Sequence, residues 1–296
     1  MQGSVSVFRP KWRRRSAAYD HPSAREGQPR SVGIAPARGR VSRHRDPVRT
    51  LSQFFRYAGN RRLDDWSETS ASLFARYATS EVAQAIAPDG SLMMTVARSG
   101  GVDWDPLKDL TARAYSLLAS DHKLPPMKIY LEKTSPVGAG LGGGSSDAAF
   151  ALRMISELAG LGLPDEALAA YAARLGSDCA FFVYDRPMLG EGRGEILTPY
   201  DLDLTGFELR VVVPEGIAVS TAEAYRGIVP REATPLREAL ALPVTQWRDS
   251  LVNDFEATVF AVHPALAAFK QSLYDQGAVY ASMSGSGSAL FGLFPR

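Results

Sequence analysis

Apolar and polar residues become regularly spaced from about residue 67 onward, and their spacing predicts a mixture of helices and strands. Residues 106–120 carry leucine and alanine at helical intervals, whereas residues 127–133 alternate as a β-strand does, between flanking prolines. Two more helices are predicted after this strand, over about 145–161 and 165–175.

The rest of the chain is predicted to be equally mixed. Residues 207–216 indicate a buried strand that ends in a turn, and residues 221–227 indicate a short helix capped by a serine or threonine. Helical spacing returns at about 252–275, and residues 279–294 read as strand, glycine turn, strand. Because strands and helices do not alternate regularly, the fold class predicted is α+β rather than a doubly wound sheet.

Composition narrows the class of protein. The 296 residues are 45% hydrophobic and 22% charged, which is typical of a globular protein. Cys179 is the single cysteine, which excludes an internal disulfide, and no Cys/His spacing suggests zinc. No apolar run approaches the roughly 18 residues of a membrane span. We therefore expect a soluble, cytoplasmic protein without a membrane partner.

The charge is unevenly distributed. Residues 1–62 carry 15 Lys and Arg against 3 Asp and Glu, and residues 63–296 carry 18 against 29. Three interpretations fit such an arginine-rich head: a nucleic-acid-binding arm, an organelle transit peptide, or sequence that was never selected as protein.

The segment PVGAGLGGGSSDAA, residues 136–149, follows the strand at 127–133 and leads into a predicted helix. Backbone N–H groups can surround phosphate oxygens where no Cβ intervenes, and a following helix adds unpaired donors and a positive dipole end. A flexible turn is the alternative interpretation, but linkers are not normally placed between a strand and an amphipathic helix. The pattern therefore favours a phosphate-binding loop.

Three common phosphate loops do not fit this segment. Gly138, Gly140 and Gly143 satisfy GxGxxG formally, but the acidic residue expected about 20 positions later would fall at the start of another helix. A Walker A loop ends in Gly-Lys-Ser/Thr, and this one has no lysine. A protein-kinase loop is followed by a strand rather than a helix.

The segment instead resembles the ATP loop of the GHMP kinases, and its triple glycine with Ser-Ser is most similar to the branch that phosphorylates 4-diphosphocytidyl-2-C-methyl-D-erythritol. LGSDCAFF at 175–182 resembles the segment with that family's catalytic aspartate, and SMSGSGSALFGLF at 282–294 resembles its C-terminal glycine motif, which in the family supports the phosphate loop. The resemblance covers roughly residues 67–296. It implies an N-terminal ribosomal-S5-like α/β domain over 66–205 and a C-terminal ferredoxin-like α/β sandwich over 206–296.

The resemblance also implies roles for individual residues. Asp178 would accept or orient the proton of the attacking hydroxyl, Tyr225 would stack on the cytosine of the substrate with Thr221 nearby, and Ser145 or Ser146 could reach Mg²⁺. Taken alone, the serines and Asp178 would be helix caps and Tyr225 a packing residue. Asp147 is interpreted as polar support for the loop. The ATP phosphates would be held by Pro136, Val137, Gly138, Ala139, Gly140, Leu141, Gly142, Gly143, Gly144, Ser145 and Ser146.

Two motifs of the family are missing from the head: a strand reading A-K-x-N-L-x-L and a D-G-Y-H segment. Codons can be chosen for residues 26–31 that read K-V-N-L-G-L one base later, with the preceding alanine from residue 25, and codons for residues 39–48 that read D-G-Y-H-D-I-E-T-L-F in the same shifted frame. We therefore hypothesise that residues 1–65 are an out-of-frame or disordered segment, with the family frame regained afterwards. This makes a nucleic-acid arm or transit peptide the lesser interpretation.

The sequence thus predicts an ATP- and Mg²⁺-dependent small-molecule kinase that acts on the 2-hydroxyl of 4-diphosphocytidyl-2-C-methyl-D-erythritol, in the non-mevalonate route to isoprenoid precursors. We expect a monomer or homodimer without a nucleic-acid partner. Two alternatives stay open: another small-alcohol GHMP kinase of mevalonate type, and a catalytically impaired ATP-binding product that lacks the lysine strand.

Overall fold

A computed structural model of the chain describes residues 5–6, 50–56, 74–133, 138–191, 196–226 and 236–296. These residues form two compact units. The four-stranded unit contains the described residues of 50–133 and 143–184, and the C-terminal unit contains residues 5–6, 138–142 and the described residues of 185–296. The prediction of an out-of-frame or disordered head falls mostly outside the described residues and stays a prediction.

The four-stranded unit is a mixed sheet with helices packed against it. Its strands are β2 Thr50–Arg56, β3 Val82–Ile86, β4 Leu92–Arg98 and β5 Met127–Lys133. Strand β2 pairs with β5 antiparallel, β5 pairs with β4 parallel, and β4 pairs with β3 antiparallel. The helices of this unit are α1 Leu110–Asp121, α2 Gly143–Leu158, α3 Asp165–Leu175 and α4 Cys179–Tyr184.

Helix α2 shows why these residues fold as they do. Ala148, Ala151, Leu152 and Ile155 are buried, and their spacing places them on one helical stripe that packs into the core. The predicted helix at 145–161 therefore exists, but it begins two residues earlier and ends at Leu158. Gly160 follows in the left-handed region at φ 68°, which glycine adopts without a steric penalty.

The C-terminal unit contains two three-stranded sheets. Its strands are β1 Val5–Ser6, β6 Met188–Glu191, β7 Ile196–Pro199, β8 Phe207–Val212, β9 Tyr280–Met283 and β10 Leu290–Pro295. The sheets are ordered β8-β10-β9 and β1-β6-β7, and every pairing in them is antiparallel. The helices are α5 Thr221–Arg226, α6 Leu236–Ala241, α7 Trp247–Ser250, α8 Phe255–Val262 and α9 Pro264–Asp275. One core cluster of this unit consists of Val219, Ala224, Val259, Leu266, Leu273, Ala278, Ala281, Met283, Leu290 and Phe294.

One predicted element has the expected end, and another is divided; proline lies at both places. Residues 207–216 form strand β8, which ends at Val212, and then a turn as predicted, because Pro214 cannot donate to a sheet ladder. The helical stretch at 252–275 is divided at His263, and Pro264 opens the second helix in the first-turn position that it favours. The mixture of separate sheets and helices confirms the predicted α+β class.

Candidate active site

The glycine loop alternates exposed backbone with buried side chains. Gly138, Gly140 and Gly142 all lie in the left-handed region, at φ 77°, 71° and 66°. Ala139 and Leu141 between them are 5% and 6% exposed, so their side chains anchor the loop. Backbone that turns in this way makes concavities of N–H groups that suit anions. Pro136 and Val137, the other predicted loop residues of this unit, lie outside the described residues.

Gly140 lies directly against the turn that connects β9 and β10. A Cβ atom on Gly140 would lie 2.2 Å from the Ser284 carbonyl oxygen and 2.8 Å from that of Gly287. Ser284 donates its hydroxyl to the Gly140 carbonyl at 2.8 Å, and the Ala289 N–H donates to the Ala139 carbonyl at 3.0 Å. The predicted C-terminal glycine motif therefore contacts the loop through backbone atoms, which explains why the loop needs glycine here.

A groove of about 370 Å³ borders the loop within the C-terminal unit. One wall is Gly138 and Ala139, and the other is the segment 213–218, which leads towards α5. Ser288 also lines the groove, and its hydroxyl donates to the Ile217 carbonyl at 2.6 Å. The groove thus joins the loop to the segment that precedes Thr221 and Tyr225.

Thr221 and Tyr225 lie on the short helix α5 with exposed side chains. The helix is capped by Ser220, whose hydroxyl accepts from the Glu223 N–H at 3.1 Å. Tyr225 is 63% exposed, and its ring meets that of Phe255 edge-on, with centroids 4.9 Å apart. The aromatic predicted to contact a base therefore presents most of its surface to solvent, and it is not a core packing residue.

The rest of the predicted phosphate site belongs to the four-stranded unit. Gly143 and Gly144 form the start of α2, followed by Ser145 and Ser146 in its first turn. The first N–H groups of a helix have no intrahelical partner, and the dipole makes this end attractive to anions. Ser146 is buried, whereas Ser145 is half-buried.

A buried ion cluster supports this end of α2. Lys133, the last residue of β5, lies 2.8 Å from the Asp147 carboxylate and 3.1 Å from that of Asp109. All three side chains are less than 10% exposed. Asp109 also caps α1 by accepting from the Thr111 N–H at 2.9 Å. Burial alone would lower the pKa of the Lys133 ammonium, but Asp147 and Asp109 together raise it, so the lysine stays charged.

Asp178 is exposed beyond the end of α3, and its neighbour Cys179 is buried at the start of α4. Ser177 donates to the Asp178 carboxylate at 3.3 Å. Burial raises the pKa of the Cys179 thiol, a hydrogen bond with Ser145 opposes that rise, and the Asp178 charge adds to it. Cys179 is therefore close to Ser145 and is the chain neighbour of Asp178.

Sequence reasoning missed two groups of supporting residues. One is Lys133 with Asp109; the signal was a lysine at the end of a buried strand, directly before the glycine loop. The other is Asn253, whose side-chain amide donates to the carbonyls of Met283 and Gly285 at 2.8 Å each. The apolar spacing of residues 252–275 indicates only a helix, although an Asn-Asp pair before an apolar run is typical of a helix start.

Within the described ranges, no three His, Cys, Asp or Glu side chains are grouped as a metal site would require. Likewise, none of the helices described has the length and apolar character that crossing a bilayer demands.

Comparison with known proteins gives two family matches. Residues 109–186 match the model of the GHMP kinases N terminal domain, and residues 236–296 match that of the GHMP kinases C terminal. The chain is 49% identical over 192 residues to the 4-diphosphocytidyl-2-C-methyl-D-erythritol kinase of Azobacteroides pseudotrichonymphae genomovar. CFP2, covering 64% of this chain and 71% of that protein. It is 47% identical over 194 residues to the enzyme of the same name from Bacteroides fragilis strain YCH46, covering 65% and 70%.

Solved structures agree with these matches. A crystal structure of 4-(cytidine 5'-diphospho)-2C-methyl-D-erythritol kinase superposes with a TM-score of 0.56 at 31% identity, covering 72% of this chain and 75% of that one. A homoserine kinase from Cytophaga hutchinsonii gives the same TM-score at 18% identity, covering 72% and 75%, and this likeness shows the fold alone.

Proposed function

Since the chain belongs to the GHMP kinases and, among them, to the 4-diphosphocytidyl-2-C-methyl-D-erythritol kinase family, we propose that it transfers the γ-phosphate of ATP to the 2-hydroxyl of that substrate. The oxygen of this hydroxyl forms the new bond to phosphorus, the bond from phosphorus to the β-γ bridging oxygen breaks, and ADP leaves. The product would serve the non-mevalonate route to isoprenoid precursors.

The close approach of Gly140 to the Ser284–Gly287 backbone is the observation that carries the proposal. It fixes a loop whose surface is made of glycine backbone, and phosphate binding needs that surface. We assign the loop amides from Gly138 and the first amides of α2 to the phosphates of ATP. Phosphoryl transfer depends mainly on such positioning and charge stabilisation.

Asp178 takes the proton of the attacking hydroxyl, or orients that hydroxyl, in this proposal. Its exposed carboxylate can be reached by a substrate, whereas the carboxylates of Asp147 and Asp109 are buried against Lys133. A general base has to come within hydrogen-bond distance of the proton that it accepts. For that reason we assign Asp147 and Asp109 a supporting role and Asp178 the catalytic one.

The donor set fits Mg²⁺ bound chiefly through ATP. Mg²⁺ usually keeps several waters and takes one or two protein oxygens together with the phosphates of its nucleotide, so it needs no cluster of carboxylates. The Ser145 hydroxyl, or that of Ser146, and the Asp178 carboxylate are hard oxygen donors of the required type. When bound, Mg²⁺ would neutralise the charge that develops on the phosphates.

The acceptor would be recognised through its cytosine by the exposed ring of Tyr225, with Thr221 beside it on α5. An aromatic face accepts any planar base, so this contact favours a nucleotide-linked alcohol over a bare one such as mevalonate.

The test is phosphorylation of a panel of alcohols with ATP and Mg²⁺, comparing 4-diphosphocytidyl-2-C-methyl-D-erythritol with mevalonate and homoserine. We expect phosphorylation of the cytidylyl substrate alone, and loss of it in Asp178→Asn. Phosphorylation of mevalonate without the cytidylyl substrate would overturn the proposal.

A further inference from the structure

One four-residue segment, Asn253–Glu256, contacts two functional parts of the C-terminal unit. Its aromatic member, Phe255, meets the ring of Tyr225 at 77° with centroids 4.9 Å apart. Edge-to-face geometry at this separation is the favoured arrangement of an aromatic pair, so it fixes the orientation of the Tyr225 ring as well as its place. Tyr225 otherwise presents 63% of its surface to solvent.

The other two contacting members hold the β9–β10 turn. Asn253 donates to the carbonyls of Met283 and Gly285, and its own side-chain oxygen accepts from the Phe255 N–H at 2.9 Å. The last of these bonds ties the position of the Phe255 backbone to the turn. Asn253 therefore links the turn to Phe255, the residue that contacts Tyr225.

Glu256 holds the end of β9 that leads into this turn. It is 6% exposed, and its carboxylate accepts from the Met283 N–H at 2.8 Å and from the Ser282 hydroxyl at 3.1 Å. Lys270 donates to its second oxygen at 2.5 Å, which balances the buried charge. The β9–β10 turn also contacts the glycine loop, because Ser284 donates to the Gly140 carbonyl.

We propose that the segment Asn253–Glu256 positions both the acceptor-binding tyrosine and the phosphate loop, through different residues. Phe255 is a positioning residue that orients Tyr225 for stacking on the acceptor's pyrimidine base. Asn253 and Glu256 position the turn that contacts the phosphate loop. This deepens the proposed function and rests on it in assigning Tyr225 to the acceptor. It adds a specificity-determining contact that does not itself touch the substrate.

The chain offers a matched control for Phe255. Phe260 lies on the same helix, is likewise half-buried and packs against the same core cluster. Phe255→Leu and Phe260→Leu therefore remove the same ring from the same helix, and only the first removes a contact with Tyr225. Phe255→Tyr keeps the ring and should restore its effect.

The experiment measures calorimetric dissociation constants of the full chain for 4-diphosphocytidyl-2-C-methyl-D-erythritol and, separately, for ATP with Mg²⁺. We expect Phe255→Leu to weaken acceptor binding about threefold to tenfold, with ATP binding changed less than twofold. Phe255→Tyr and Phe260→Leu should leave both constants within about twofold. Asn253→Ala should weaken ATP binding more than acceptor binding. Equal acceptor affinities in Phe255→Leu and Phe260→Leu would overturn the proposal, as would equal weakening of both ligands by Phe255→Leu.

A second measurement needs no ligand and so separates this inference from the proposed function. Hydrogen exchange over residues 221–226 should be faster in Phe255→Leu than in Phe260→Leu or the unaltered chain, because helix α5 loses the contact at Tyr225. If the unaltered chain binds neither ligand, the proposed function fails, and the exchange rates decide alone. Identical rates in the two leucine variants would then refute the positioning role.

Discussion

Replacing Gly140 by alanine should disrupt the phosphate loop, and the structure gives the size of the effect. Gly140 has φ 71°, where an alanine is less stable than glycine by about 1 kcal/mol. Its Cβ would also lie 2.2 Å from the Ser284 carbonyl oxygen, far below the roughly 3.5 Å of an ordinary contact. Relieving that overlap requires moving backbone, for which overpacking data suggest about 1 to 3 kcal/mol more.

Gly138→Ala is the matched control, because Gly138 has a similar φ of 77° and no atom of the described residues lies within 4 Å of the position that its Cβ would take. It should lose only the conformational part, about 1 kcal/mol. Urea unfolding of the unaltered chain, Gly140→Ala and Gly138→Ala gives their differences in stability, and calorimetry gives their affinities for ATP. We expect Gly140→Ala to be less stable than Gly138→Ala by about 1 to 3 kcal/mol, and to bind ATP at least about tenfold more weakly than the unaltered chain. Equal stability of the two variants would refute the idea that the loop is fixed by backbone contact with the turn.

Three other predictions concern the remaining parts of the chain. Asp178→Asn should lower kcat about 10² to 10⁴-fold and leave the ATP dissociation constant within about twofold; a change in affinity alone would contradict a role in proton transfer. Lys133→Met should destabilise the protein by about 3 to 5 kcal/mol, since it removes the buried ammonium that both carboxylates contact. The folded-state pKa of Lys133 is raised, so the stability that it contributes is complete below its ordinary pKa of 10.5 and is lost only as the pH rises above that value. The difference in urea midpoint between Lys133→Met and the unaltered chain should therefore stay constant from about pH 6 to 9. A difference that vanishes in this range would refute the ion cluster as its cause. Finally, a chain with residues 1–65 restored to the shifted frame should bind ATP more tightly and turn over faster than this chain. Equal turnover would reject the frame hypothesis. So would a gene sequence that cannot encode K-V-N-L-G-L in the shifted frame.

The local pattern is sufficient to predict the elements that position the site. The strand at 127–133 and the helix at 165–175 have the predicted bounds, because their ends are marked locally, by prolines around the strand and by Pro164 and Gly176 around the helix. Helix α2 starts two residues before its predicted start, since glycine at 143 and 144 reads as loop although both residues are helical here. Propensity is a weak signal at a helix end that tertiary contacts determine.

The contacts that fix the loop could not be predicted from local pattern. Ser284 and Gly140 are 144 residues apart in sequence. The family resemblance indicates that their two segments meet, but no local pattern near either residue indicates which atoms make the contact. The same holds for Asn253, whose two acceptors lie 30 and 32 residues further on. Such hydrogen bonds depend on how the turn and the helix start are placed by the core of the unit, and the sequence indicates only that polar side chains and glycines are available there.

The ion cluster at Lys133 shows why a polar group is retained in the core of the four-stranded unit. Two aspartates share one lysine here, in a place where burial makes charge expensive. Asp109 caps α1, where the helix dipole favours negative charge, and Asp147 is the fifth residue of α2, just beyond its first turn. An apolar core would fill the same volume, but it would leave the Thr111 N–H without its acceptor and would not tie the end of β5 to the starts of both helices. The cluster therefore fixes the start of α2, the end of the helix to which we assign the phosphates.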